Sequence, residues 1–326
     1  MQVLIILLLS VGGTLDYDAC LAHLEAHSPA SDLAGEEHAS IIGENVRLAL
    51  WTRDYMPWGP SIPDSVFLRY ILPARVSQEP LVRWRPHFRD AVLPVVAGAE
   101  SMEEAVLRVS AWADSVIDYR PTQFRDQSPL VTWSSGIGRC EEMTVFFMDA
   151  LRSVGIPCRQ AYTPWWTTVD SNHAWPEVWT PGGWRYTDIS AEQETLNSTW
   201  FTERARDAAL VVAIATDSVP GAMAFRGDVS VLNVTASYAE TGLLRCEETP
   251  PEEVTVSVVN SGSYRAITSL DSVRTQVELG GGVYLLSWGW PVSSARVTVA
   301  AGDTTVFTPT PQELPAHCVM NSGEGQ

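Results

Sequence analysis

Hydrophobic positions recur at helical spacing through the first part of the chain, and residues 35–130 read as mostly helical. Ser101-Met102-Glu103-Glu104 has a Ser at an N-cap and a Glu three residues on, the signature of a capping box. Val109, Trp112, Ala113 and Val116 then follow three and four residues apart. A second helix is predicted over 139–154, with Met143, Phe147, Ala150, Leu151 and Val154 sharing a face. Gly155 ends it and Pro157 follows, a C-terminal signal. The period then changes. Residues 158–162 and 174–179 read as strands, Thr180-Pro181-Gly182-Gly183 as a turn, and 184–189 as the returning strand. From about residue 225 the apolar runs are short, β-branched and separated by Gly, Ser and Asn, which predicts a small β-sandwich. The expected organisation is one α+β unit over 35–215 and a β-sandwich over 225–312.

The apolar residues 3–9, followed by the small residues 10–13, are too few to span a bilayer and fit a signal-peptide core. Residues 1–13 are therefore read as the signal peptide of an exported protein, periplasmic or extracellular; a buried strand is the alternative. No other segment approaches the ~18 apolar residues of a membrane span.

Charge narrows the partners. Acidic residues outnumber basic ones 39 to 21, for a net charge of −18 over 326 residues. That counts against nucleic acid and anionic membrane surfaces, which need clustered Lys and Arg. Every basic residue is arginine, so the chain offers no ε-amine as an acyl acceptor. No P-loop, zinc-binding, EF-hand or dinucleotide motif is legible, and no metal or cofactor is expected.

The five cysteines, Cys20, Cys140, Cys158, Cys246 and Cys318, are widely spaced and form no Cys-x-x-Cys. An odd number leaves at least one thiol unpaired; the pairing of the others is open. Cys140 falls at the first turn of the predicted helix 139–154, where unpaired N–H groups and the helix dipole favour a thiolate. Before it, the glycines Gly136 and Gly138 let the backbone approach a substrate and offer N–H groups to an oxyanion. If Pro181 and Gly182 centre the hairpin turn, Asp188 faces Trp175 and His173 faces Ser190. His173 and Asp188 are then diagonal neighbours on one face, about 7–8 Å apart at Cα. A thiol at a helix N-terminus, a His and an orienting Asp make up a cysteine nucleophile triad.

Gly138-Arg139-Cys140-Glu141-Glu142, 151–159, 173–179, Pro181-Gly182-Gly183-Trp184 and Thr187-Asp188 together resemble the transglutaminase-like core, over about 90 residues. The resemblance implies a papain-like α+β fold, here a transglutaminase core with a helical N-terminal part and a C-terminal β-sandwich domain. It implies Cys140 as nucleophile, His173 as base and Asp188 as orienting group, with Glu142 as structural support. Cys158 departs from the small residue common there and is read as a buried hydrophobe. Seven of 13 tryptophans lie between residues 133 and 200. Of these, Trp133 is expected to flank the thiolate and, with Gly138 and Trp175, to border the cleft and its oxyanion site; one of Trp165 and Trp166 is expected to reach the cleft wall.

The leading reading is cysteine-dependent acyl transfer on a peptide or protein amide through a thioester, resolved by water or by an amine. The alternative is a non-catalytic secreted module that holds a peptide or glycan on the same fold. The oligomeric state is not legible.

Overall fold

The computed structural model describes residues 15–122, 126–226, 229–250, 252–289 and 292–309. The apolar run at 1–13 and Cys318 lie outside the described residues.

The N-terminal part is helical as expected: α1 (Tyr17–His27), α2 (Gly35–Tyr55), α3 (Asp64–Tyr70), α4 (Arg85–Val96) and α5 (Met102–Val116). At the start of α5 the Ser101 hydroxyl accepts from the Glu104 N–H at 3.1 Å. The Glu104 carboxylate reaches back to the N–H of Glu100, one residue before the cap, at 2.8 Å. Cys20 and Leu24 of α1 are buried in the same core as α2, α4 and α5, so this unit begins before residue 35. Short parallel strands β1 (Asp118–Tyr119) and β2 (Ile137–Gly138) flank α6 (Pro129–Ser135) and lead into α7 (Cys140–Ser153).

α7 is the centre of the molecule. Every residue from Thr144 to Ser153 is buried, so the one-sided apolar face read from the sequence understates its environment. Helices cover one side and the strands β3 (Cys158–Thr163) and β4 (His173–Thr180) cover the other. Gly155 closes the helix at φ +72°, a left-handed conformation that glycine takes at little cost. There the Ile156 N–H returns to the Leu151 carbonyl at 3.0 Å and the Gly155 N–H to that of Arg152 at 3.1 Å, a Schellman closure. A Cβ at Gly155 would lie 2.6 Å from Thr52 Oγ1 of α2, so the stop also permits close helix contact.

Two buried arginines brace this core. Arg85 donates from Nε to Asn45 Oδ1 and from its terminal nitrogens to the carbonyls of Arg152 and Ile71, each at 2.7 Å. Arg152 of α7 donates to the carbonyls of Tyr70, Arg75 and Cys158. These contacts tie α4, α2 and the segment after α3 to the helix that begins with Cys140.

The hairpin has the register expected from its turn: β4 pairs with β5 (Gly183–Tyr186) through Thr180↔Gly183, Trp179↔Trp184 and Glu177↔Tyr186. Regular pairing ends there, and the Thr187 N–H makes one further bond to the Pro176 carbonyl at 3.1 Å. The sheet continues on the other side of β3 through β6 (Val212–Thr216), β8 (Val229–Asn233) and β7 (Ala224–Arg226), in the antiparallel order β5-β4-β3-β6-β8-β7. Between β5 and β6 lies the one-turn helix α8 (Thr202–Ala205). Strands β7 and β8 thus extend the first unit's sheet beyond residue 215, and the boundary read at 225 falls inside it.

The C-terminal part is all β: β9 (Thr241–Cys246), β10 (Val254–Asn260), β11 (Ser263–Leu270), β12 (Gln276–Gly280), β13 (Gly282–Trp288), β14 (Ser293–Val299) and β15 (Thr304–Phe307). They form a four-stranded sheet, β11-β10-β13-β14, and a three-stranded sheet, β12-β9-β15. Leu244 and Leu279 from one and Val256 and Leu286 from the other share one core, which Val212 and Val231 of the six-stranded sheet join.

Candidate active site

Cys140 opens α7, and Arg139 is its N-cap. Glu142, read as structural support, closes a capping box at the start of the helix. This buried carboxylate accepts the Arg139 N–H at 2.9 Å and the Thr122 hydroxyl at 2.8 Å, and Arg139 closes an ion pair on it at 3.3 Å. Glu142 therefore fixes the entry to the helix that presents the thiol.

His173 is the first residue of β4, facing Thr163 at the end of β3. Its ring lies among aromatics: 4.9 Å from Trp200, 5.1 Å from Phe201 and 5.6 Å from Trp175, centroid to centroid. Asp188 follows the end of the hairpin. A cavity of about 530 Å³ is lined by Cys140, His173, Asp188, Trp166, Trp200 and Arg204. A second, of about 580 Å³, is lined by Ser77, Glu141, Gln160 and Tyr162 and shares Cys140 and His173 with the first. The thiol thus stands between two chambers. A larger cavity of about 1400 Å³ near β9 and β12 is lined by neither Cys nor His.

The three side chains share the first cavity without the expected hydrogen bond between His173 and Asp188. One Asp188 oxygen accepts the Ile189 N–H at 2.9 Å and the other the Trp200 indole N–H at 2.6 Å. His173 Nε2 is buried with no hydrogen-bond partner. The ladder stops at Tyr186, so the diagonal pairing that would have set the two side chains together is not built.

Electrostatics also depart from the helix-terminus argument. Burial raises the Cys140 thiol above its ordinary value, although the N–H groups of Ala174 and Glu141 pull the other way. Burial, helped by the Arg204 charge, pushes His173 down to about 4. Burial pushes Asp188 up to about 6, against the N–H groups of Ile189 and Trp200. Burial thus favours the thiol and the neutral imidazole over the ion pair.

The predicted cleft residues divide. Trp166 lines the first cavity; Trp165 instead packs towards the C-terminal core beneath Arg265, 4.6 Å from its guanidinium carbon. Trp133 does not line either chamber. It packs with Phe88, Trp112 and Phe146 in the helical core, at 4.9–6.0 Å. Gly138 is likewise held in packing: a Cβ there would meet Glu142 Cβ and Met143 Cγ at 3.2 Å. Trp175 is fully buried beneath His173, its indole donating to the Tyr238 hydroxyl at 2.9 Å. Cys158 is the buried hydrophobe expected. Trp200 and Arg204 were not foreseen as site residues. They come from the segment after the hairpin, Trp200 just before α8 and Arg204 within it, whose only sequence signal was the local density of tryptophan.

The arrangement predicts selective alkylation. Cys20, Cys158 and Cys246 are buried, and burial pushes the first two up to about 12. Limiting iodoacetamide at pH 8 is expected to label Cys140 before these three, read by peptide mass spectrometry. Equal labelling of any of them would remove Cys140 as the accessible nucleophile.

Residues 89–189, which include Cys140, His173 and Asp188, match the model of the transglutaminase-like superfamily. The chain therefore carries a transglutaminase-like domain. No curated protein matches the sequence. Among solved structures, similarity extends to a candidate cysteine protease from Cytophaga hutchinsonii at 12% identity and TM-score 0.35, covering 78% of this chain and 61% of that one. It extends to red sea bream transglutaminase at 11% identity and TM-score 0.35, covering 75% and 66%. Legionella pneumophila LapG matches at 13% identity and TM-score 0.26, covering 47% and 75%. The chain thus spans about three-fifths to two-thirds of the length of the first and second of these.

Proposed function

We propose that this chain is a cysteine-dependent acyl-transfer enzyme acting on peptide or protein amides through a Cys140 thioester. The observation that carries the reading is the convergence of Cys140, His173 and Asp188 on one cavity within the transglutaminase-like stretch. In this mechanism an amide carbonyl enters beside the sulfur. His173 takes the thiol proton as the Cys140 sulfur attacks, and the N–H groups of Glu141 and Ala174 that reach the sulfur stabilise its developing negative charge. His173 returns the proton to the departing amine, leaving the thioester. Water then adds with His173 as base, releasing the acid and restoring the thiol. We assign water as the resolving nucleophile; the second chamber at the thiol, lined by Ser77, Glu141, Gln160 and Tyr162, is where an amine acceptor would compete with it. Because burial favours the neutral pair, thiolate forms with the proton transfer that accompanies attack.

The test is incubation with a library of glutaminyl and peptide amides, with and without excess cadaverine, with mass spectrometry of Cys140. An acyl adduct on Cys140 and free-acid products are expected. Cadaverine-bearing products in preference to acids would overturn hydrolysis while leaving the thioester standing. The non-catalytic alternative is favoured by one observation, the engagement of Asp188 by Trp200 and Ile189; binding without any Cys140 adduct would select it.

Asp188 gives a pH prediction. In the charged form it can stabilise an imidazolium; with its value raised to about 6, protonation removes that help as the pH falls through 6. Activity is expected to show an acid limb near pH 6. Asp188→Asn is expected to lower kcat/KM by about 10–10³-fold and to abolish that limb. A variant within twofold of the parent and with an unchanged profile would take Asp188 out of the mechanism.

A further inference from the structure

We propose that His23, His27 and Asp217 form a binding site for a divalent transition-metal ion of the zinc class, clamping α1 to the segment that follows β6. One ligand atom from each residue lies within 4.8 Å of the other two. None of the three lines the two chambers at Cys140.

The helix supplies two of the donors. His23 and His27 are one turn apart on α1, with ring centroids 4.4 Å apart. His27 Nδ1 lies 2.8 Å from the His23 carbonyl oxygen. A carbonyl only accepts, so the proton sits on Nδ1 and the lone pair of Nε2 is left for a ligand. The same bond orients the ring, as carbonyl partners do for metal-bound imidazoles. His23 Nε2 is buried and has no hydrogen-bond partner, a state that needs an explanation in a folded protein. A metal ion supplies one.

The third donor is held rigidly. Asp217 is buried and sits at φ +78°, a left-handed conformation uncommon for a residue with a side chain. Its carbonyl accepts the Ser230 hydroxyl at 2.6 Å, which anchors the turn to β8. Arg69 Nε contacts both carboxylate oxygens, at 2.8 and 2.9 Å. A carboxylate has about four lone-pair sites, so the outer ones remain for an ion while Arg69 sets the orientation. The arginine charge opposes a cation and moderates the affinity.

Two imidazoles and one carboxylate suit zinc and its neighbours, whereas calcium and magnesium prefer oxygen shells. Tetrahedral zinc with ligands at about 2.0–2.1 Å needs donor atoms about 3.3 Å apart, so the three side chains must close by up to about 1.5 Å. Three protein ligands leave a fourth position for water.

The experiment uses the full chain as Cys140→Ala, so that the half-buried thiol of the cleft takes no metal. After chelator treatment it is titrated with zinc chloride by calorimetry and followed by thermal melting. One ion per chain is expected, with a melting temperature that rises with zinc and returns with EDTA. His27→Gln is expected to weaken binding at least about 10-fold. X-ray absorption at the zinc edge of the Cys140→Ala protein provides a readout independent of how the variant folds. It should show a nitrogen and oxygen shell with imidazole scattering. No retained zinc, a sulfur ligand in the shell, or undiminished binding by the H23Q/H27Q double variant would overturn the site.

Discussion

Replacing Cys140 by alanine is expected to abolish amide turnover, with a loss of at least about 10⁴-fold in kcat/KM and an unchanged far-ultraviolet dichroism spectrum. Nucleophile deletions in covalent hydrolases cost this much because the remaining groups cannot form the covalent intermediate. The sulfur is the one thiol lining both chambers, and no neighbouring Ser or Thr opens α7 to replace it. The fold tolerates the change because the substitution removes one atom at the first turn, while Glu142 and Arg139 keep the cap. A residual rate above about a hundredth of the parent's would rule out the thioester route.

Arg85→Ala is expected to destabilise the protein by at least about 3 kcal/mol, measured by chemical denaturation. Three buried acceptors lose the Arg85 donor; the Arg152 carbonyl keeps the Gly155 N–H, and each acceptor left unpaired costs roughly 1–3 kcal/mol. The acceptors are Asn45 Oδ1 and the carbonyls of Arg152 and Ile71. Burial pushes Arg85 down to about 9, still cationic at neutral pH, so the charge is held without an ion-pair partner at hydrogen-bond distance. A lysine cannot serve all three acceptors, because its single nitrogen lacks the planar fork. A loss below about 1 kcal/mol would show that the network relaxes around the gap.

Local signals carried the elements around the site. The Ser101 cap, the Gly155 stop and the Pro181-Gly182 turn each depend on a few neighbouring residues, and each stands in the structure where its chemistry requires. Non-local features were hidden. Nothing near β3 announces that β6, some fifty residues later, pairs with it, and the same distance effect hid the pairing of β7 and β8 onto that sheet. The residue types at the site were legible because a thiol at a helix start and a His beginning a strand are each written in a short motif. Their electrostatics were not. The helix-terminus rule assumes a solvated thiol, and the packing that buries Cys140 reverses its sign. Trp133 misled for a related reason: proximity in sequence to Gly138 gave no account of the aromatic ring cluster that claims its side chain.

The burial of α7 on every side from Thr144 to Ser153 sets how the candidate site responds to heat and to exchange with deuterated solvent. Amides of a helix with no solvent-facing side open only when the surrounding layers separate, so those of residues 144–153 are expected to exchange at the rate of global opening. The rim differs, since Trp200 is 63% exposed and follows no regular element longer than the β5 hairpin. Heating is then expected to melt the position of the thiol together with the whole domain, so that irreversible loss of activity and the calorimetric transition share one midpoint. An inactivation midpoint well below the calorimetric one would locate the weak point at the rim rather than in the scaffold beneath it.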